Sequence, residues 1–378
     1  MHIAFLTLEY PPGGGGIATS LAMLAPALVR RGHDVTVVGW GPTERREKDG
    51  GVRVRLHGPA PVPKLGWWLQ PRRIGADLRK MASEQALDVV VAHDWCGPSA
   101  RVSSPCPLVV WCNGSATYFG ELTGEPVRPS VRRSEARALR RADAVAAASA
   151  FTGKRTQRLF GLEKAPATIH NPVDVERFQP AGTEVDAGRF IHVGTVVRKK
   201  GVLDLCRAFN RVVAERPRAQ LLWIGRDSRD ARTGAPSTWE LCRNELSDEA
   251  YRRVDYRGFV AHDQLRELVA GSLAAVLPSF AEAFPLTWLE AMSCARPVLG
   301  YDHGWAQEAV RSGEDGVLVK AGDTNTLAAE MIGLLDDPGR ADRFGSLARE
   351  RMVAELSADA IAIQFERWLE PIVGGAGA

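Results

Sequence analysis

Two glutamates eight residues apart, in Glu282-Ala-Phe-Pro-Leu-Thr-Trp-Leu-Glu290, are the residues best suited to chemistry in this 378-residue chain. Glu282 is expected in the loop after an apolar strand, AAVLPS (274–279), and Glu290 inside a helix that opens near Leu286. One loop turn within that spacing can bring both carboxylates to one rim of a pocket. A carboxylate accepts two hydroxyl hydrogen bonds at once, which is what a sugar or a ribose offers. The helix N-terminus beside them presents free N–H groups and a positive dipole end, suited to a diphosphate. On spacing alone, two solvated glutamates flanking a core helix explain the segment about as well.

Three other segments have chemical potential. His192-Val-Gly194-Thr195-Val-Val-Arg198-Lys199-Lys200-Gly201 is a glycine turn after a strand, with three cations before the next helix. That is a natural anion cradle, although an ordinary solvated turn would look similar. Tyr10-Pro-Pro-Gly13-Gly14-Gly15-Gly16-Ile17 lets the backbone approach a ligand closely ahead of a helix. Gly13-x-Gly15-x-x-Ala18 mimics a dinucleotide fingerprint. The first strand ends well before these glycines, however, and the second ends VVGW, with no acid for a ribose, so an NAD site is rejected. His93 closes the strand DVVVAH, at the carboxyl end where parallel sheets bind ligands. A lone strand-end histidine is more often structural. Asn113-Gly114-Ser115 ends the next strand and should line the same region.

The elements that must position these residues come in two series. Strands are expected at IAFLTL (3–8), VTVVGW (from 35), VRVRLH (52–57), DVVVAH (88–93), PLVVWC (107–112) and AVAAAS (144–149). The pattern restarts with RFIHVGTV (189–196), QLLWIG (220–225), VDYRGF (254–259), AAVLPS, PVLGYD (297–302) and GVLVK (316–320). Helical patterns lie between most of them, including 202–215 and an amphipathic stretch 358–369. Alternating β and α elements imply parallel sheets. The expected domains are 1–170 and 171–357, with 358–378 a helix and tail that could pack back on the first; GGAGA is expected to be disordered.

Composition excludes several classes. The chain is 45% hydrophobic and 25% charged with net charge +3, ordinary for a globular protein and no sign of a nucleic-acid binder. Six scattered cysteines without a CxxC pair argue against zinc and disulfide scaffolds and fit a reducing cytoplasm. The start Met1-His2-Ile3-Ala4-Phe5 does not read as a signal peptide, and no run of about 18 apolar residues suggests a membrane span. Trp67-Trp68 beside Arg72 and Arg73, and the helix carrying Arg132, Arg133, Arg137, Arg140 and Arg141, leave peripheral membrane contact open. Packing and a solvated face are the plainer readings of both.

From YPPGGGGIA to the last strand, and most specifically over LPSFAEAFPLTWLEAMSCARPVLGYDHGWAQEAVRSGEDGVLV, the sequence resembles the GT-B family 4 of retaining glycosyltransferases. The resemblance implies two Rossmann-like domains facing across a cleft. Glu282 and Glu290 match the family's Glu-x7-Glu, whose first acid contacts the donor sugar's hydroxyls and whose second contacts the nucleotide ribose. Backbone groups of Phe284, Pro285 and Leu286 would face sugar and phosphates, and Phe259 and Val260 the nucleobase. Lys200 matches the diphosphate lysine, beside Gly194. The family's arginine position is Thr195, with Arg198 or Lys199 as candidates to compensate. Gly15 and Gly16 match the glycine loop, with Tyr10 beside them on the acceptor side. His93 matches the histidine that bonds the donor sugar, and Asn113 stands where relatives often carry His. No Asp-x-Asp triplet occurs, and the resemblance implies neither metal nor other cofactor.

The function expected is transfer of a sugar, with retention, from a nucleotide-diphosphate sugar (UDP being the commonest guess) to a hydroxyl acceptor. The setting is the cytoplasm or the inner membrane face. Rival readings are a nucleotide-sugar epimerase or phosphorylase of the same architecture, and a non-catalytic sugar-nucleotide-binding module.

Overall fold

The computed structural model describes residues 1–60, 66–180, 182 and 184–375, the side chain of Trp67 excepted. The last three residues of the expected disordered tail lie outside the described residues. The chain divides into two compact units: Met1–Pro172 with Ala358–Ala378, and Val173–Ser357.

The first unit is built on β1 (His2–Thr7), β2 (Asp34–Trp40), β3 (Arg45–Asp49), β4 (Val52–His57), β5 (Val89–His93), β6 (Leu108–Cys112), β7 (Ala144–Ala147) and β8 (Ala167–Thr168). They form one sheet in the order β3-β4-β2-β1-β5-β6-β7-β8. Central strands such as β1 and β5 are buried throughout and mostly apolar, because helices cover both faces of a parallel sheet. The charged RREKD segment of β3 was not expected as a strand. It pairs antiparallel with β4 at the sheet edge, where exposed charges deter further strand addition.

The C-terminal helix Ala358–Gly375 belongs to this unit. Its Phe365 is fully buried, with ring centroids 5.8 Å from Phe5 and 5.4 Å from Trp111. Glu366 pairs with Arg31 at the end of the helix Gly16–Arg30.

The second unit carries β9 (Asp186–Val193), β10 (Gln220–Ile224), β11 (Val254–Gly258), β12 (Ser272–Leu277), β13 (Val298–Asp302) and β14 (Gly316–Lys320). Its all-parallel sheet has the order β11-β10-β9-β12-β13-β14. The chain runs outward from β9 to β11, then returns to place β12 on the other side of β9. The loops beyond β9 and β12 therefore diverge, opening the crevice where doubly wound sheets take ligands. The first unit repeats this reversal between β1 and β5. Gly15 and His93 in the first unit, and Lys200 and Glu282 in the second, lie at or beyond the carboxyl ends of the two strands that flank the reversal.

Candidate active site

In the second unit, Gly201 holds the two loops together. It ends the short turn Arg198–Lys200 in the left-handed region, at φ 69°. A Cβ there would lie 1.9 Å from the Pro278 carbonyl oxygen, so only glycine permits this approach of the turn to the end of β12. The Phe280 amide donates to the Lys199 carbonyl at 2.7 Å, a second stitch between the loops. Lys200 Nζ consequently meets Glu282 Oε1 at 2.5 Å, with both side chains largely buried. Three residues on, Pro285 caps the helix Leu286–Ser293 without a side-chain acceptor, leaving the first amides of that helix as donors for a ligand. Phe284 is buried beside them.

Glu290 lies on this helix, 6% exposed, with Oε1 3.0 Å from His262 Nε2. His262 in turn packs its ring 5.0 Å from Phe178. Phe259 is 64% exposed, with the Arg226 guanidinium 4.2 Å over its ring; Val260 is half-buried. Arg198 is committed elsewhere: its Nε donates to Asp230 Oδ1 at 2.7 Å. That bond, aided by Thr233, holds the Asp230 carboxyl down to about 2. Thr195 is exposed, and Gly194 leaves room for the Lys200 side chain, whose Cε would sit 3.6 Å from a Cβ there.

In the first unit, the β1 loop is fixed by Glu9, whose Oε2 accepts from the Gly15 amide at 2.9 Å. Gly15 caps the helix beginning at Gly16 and offers no side-chain acceptor, so this N-terminus too is open. Tyr10 is 3% exposed, with burial pushing its hydroxyl up to about 12. It is a packing residue rather than one open to solvent.

His93, at the end of β5, is 2% exposed, and burial pushes it down to about 4. Its imidazole is neutral at ordinary pH. Nδ1 lies 3.3 Å from Asn113 Nδ2, while Nε2 is buried without a partner among the described residues. An orphaned ring nitrogen at the carboxyl end of a parallel strand is one that a ligand could satisfy. Asp94 behind it is fully buried and pushed up to about 7, chiefly by that burial. Its Oδ1 accepts the Asn113 amide at 2.8 Å.

Residues 14–177 match the domain described as Glycosyltransferase Family 4, and 187–337 match Glycosyl transferases group 1. The chain belongs to the GT-B glycosyltransferases of family 4. Glycogen synthase of Mycobacterium tuberculosis is 29% identical, over 96% of this chain and 92% of its own. Alpha-maltose-1-phosphate synthase of Mycolicibacterium smegmatis is 28% identical over 96% and 97%. Among solved structures, sucrose-phosphate synthase from Thermosynechococcus elongatus superposes with a TM-score of 0.77 at 21% identity, covering 99% of both chains. HepE of Anabaena, solved with UDP, gives 0.75 at 21%, covering 98% of this chain and all of its own.

The glycosyltransferase is thus an enzyme, and membership speaks against the binding-module reading. Sequence reasoning brought Lys200, Glu282 and Glu290 to one unit and His93 and Asn113 to the other. It missed His262 and Arg226, which sit against Glu290 and Phe259. His262 opens the helix after Gly258, and Arg226 follows the strand-end Gly225. Each occupies a carboxyl-end loop, the one signal that could have found it. No helix among the described residues is long and apolar enough to cross a membrane. Nor do three or more His, Cys, Asp or Glu side chains gather there as a metal site.

Proposed function

We propose that this glycosyltransferase moves a sugar, with retention of configuration, from a nucleoside-diphosphate sugar to a hydroxyl acceptor without a metal ion. UDP is the nucleotide favoured: the neighbouring HepE was solved with UDP and with UDP-glucose. The observation that carries the reading is the Lys200–Glu282 contact at the β9–β12 reversal, followed directly by an uncapped helix N-terminus. When the bond from sugar to diphosphate breaks, negative charge grows on the leaving phosphate. A lysine and a set of fixed amide dipoles stabilise that charge best in a site with little water.

Donor binding then amounts to an exchange. Lys200 trades Glu282 for phosphate, and Glu282 trades Lys200 for sugar hydroxyls, so neither charge is left unpaired. Glu290 likewise exchanges His262 for ribose hydroxyls. His93, neutral, offers its free Nε2 to a sugar hydroxyl. No side chain in these loops is set up as a covalent nucleophile, which favours attack of the acceptor on the face the diphosphate leaves.

The test is release of nucleoside diphosphate from UDP-, ADP- and GDP-sugars, with and without acceptor, in buffer containing EDTA. Product anomers are read by NMR. The expected result is acceptor-dependent release that survives EDTA and yields the donor's anomeric configuration. Abolition by EDTA, inversion, or sugar conversion from donor alone (the epimerase outcome) would refute it.

A further inference from the structure

We infer that Trp95 is the platform on which the acceptor stacks, and that the acceptor is a saccharide. This rests on the transfer reaction proposed above and names its second substrate. Trp95 lies two residues beyond His93, on the same loop, and is 42% exposed. Its ring packs edge-on against the half-buried Phe119, with centroids 6.3 Å apart. A single exposed aromatic on a surface usually needs no explanation. This one is different because of the backbone that carries it.

Cys96 and Gly97, directly after Trp95, both sit at φ 60°. A left-handed conformation at a residue with a side chain is strained and persists only where its surroundings enforce it. The enforcement comes from the helix Pro129–Arg140. Glu135, fully buried on that helix, accepts the Cys96 amide at 3.1 Å. The same carboxylate accepts the Ala116 amide at 2.8 Å and the Thr117 hydroxyl at 2.5 Å, at the start of the helix that carries Phe119. Ser134 Oγ donates to the Gly97 carbonyl at 3.2 Å, and a Cβ on Gly97 would lie 2.5 Å from the Ser134 carbonyl carbon. One buried carboxylate thus ties the Trp95 turn to the Phe119 helix, fixing both rings.

Rigid strain and a buried carboxylate are costs, and the turn uses them to hold a large apolar face open to water, two residues along the chain from His93. Trp68, the other exposed tryptophan among the described residues of this unit, has its face covered by Arg72, 3.5 Å from the ring centroid. Among the described residues no cation covers Trp95. A flat aromatic face rich in negative charge suits the C–H face of a pyranose ring, whose hydroxyls point outward from it and stay free to react or to hydrogen-bond.

The experiment uses the full chain, with the donor found by nucleotide release. Acceptors are neutral saccharides (glucose, N-acetylglucosamine, maltose and maltoheptaose) against non-saccharide hydroxyls (glycerol, malate and hexanol). Trp95→Ala and Trp95→Phe are compared with the unaltered enzyme. The expected result is transfer to a saccharide, with acceptor KM raised about tenfold or more by Trp95→Ala and largely restored by Trp95→Phe. Affinity for free UDP, read by calorimetry, should stay within about twofold, as no fold defect would allow. An unchanged acceptor KM in Trp95→Ala, or transfer to non-saccharide hydroxyls alone, overturns the inference while leaving sugar transfer intact. Absence of acceptor-dependent release with every donor overturns the transfer reaction itself, and this inference with it.

Discussion

At the residue scale the site is a set of exchangeable partners. Lys200 with Glu282 and His262 with Glu290 are the pairs that the donor would take over in the reaction proposed. Removing one member of a largely buried pair leaves the other charged and unsolvated. Lys200→Met is therefore expected to lower the rate of transfer about 10²–10³-fold, the usual effect of deleting a group that stabilises a leaving charge. Steady-state kinetics with the identified donor check it, and a change under tenfold would count against the assignment. His93 makes a separate prediction. Burial drives it to about 4, so its imidazole should stay neutral through pH 5, with an NMR titration midpoint far below the ordinary 6.5. A midpoint near 6.5 would mean a solvated ring. Glu282, Glu290 and His93 were singled out by the family resemblance, since spacing alone fits two solvated glutamates as well and a lone strand-end histidine is more often structural. Glu135 was not: its role depends on Cys96 in the loop after β5 and on Ala116 and Thr117 at the start of another helix, two elements far from it in sequence.

At the element scale, strands of continuous apolar residues were read easily, because burial on both faces leaves no alternation to misinterpret. β3 escaped, since its charged side chains show nothing of the backbone pairing with β4 that holds it. β8 escaped because two residues carry no pattern. Two substitutions test how elements position the site. Gly201→Ala must force a left-handed alanine against the Pro278 carbonyl, at 1.9 Å. The expected loss is about 1–3 kcal/mol from strain alone, together with weaker donor binding as Lys200 moves from Glu282. Chemical denaturation and calorimetry check the two effects, and a variant as stable as the parent would mean the loops are not stitched there. Phe365→Ala removes a ring that the first unit buries between Phe5 and Trp111, and should cost about 3–5 kcal/mol. A loss below about 1 kcal/mol would show that the C-terminal helix is not part of that core.

At the scale of the whole molecule, the two units share one design, with a sheet that is parallel but for the edge strand β3 and a reversal of strand order. The parallel pairing followed from the repeat of β and α patterns. The transfer of the last helix to the first unit could not be derived from periodicity, which marks a helix face but not its partner. Buried histidines set the acid stability. His93 and His192 are both driven to about 4 by burial, whereas in the unfolded chain they titrate near 6.5. The unfolded state then binds protons first, so stability falls as pH drops from 6.5 toward 4. Asp94, raised to about 7, works the other way: it loses stability as pH rises from its ordinary 3.8 through 7. His2, His33 and His303 are lowered by burial in the same sense and Asp315 is raised like Asp94, so lowered histidines outnumber raised aspartates and the net trend is a lower Tm at pH 4.5 than at pH 6.5. Thermal unfolding at the two values measures it, and an equal or higher Tm in acid would contradict the assigned burial.

The claim on which the function depends is that the two units divide the work: Glu290 holds the nucleotide, and His93 acts only on the sugar being transferred. Nucleotide affinity and transfer measured in parallel on Glu290→Ala and His93→Ala decide it most directly. The expected result is UDP affinity weakened in the first and kept in the second, with transfer abolished in the second. Unchanged affinity in Glu290→Ala, or turnover persisting in His93→Ala, would contradict it.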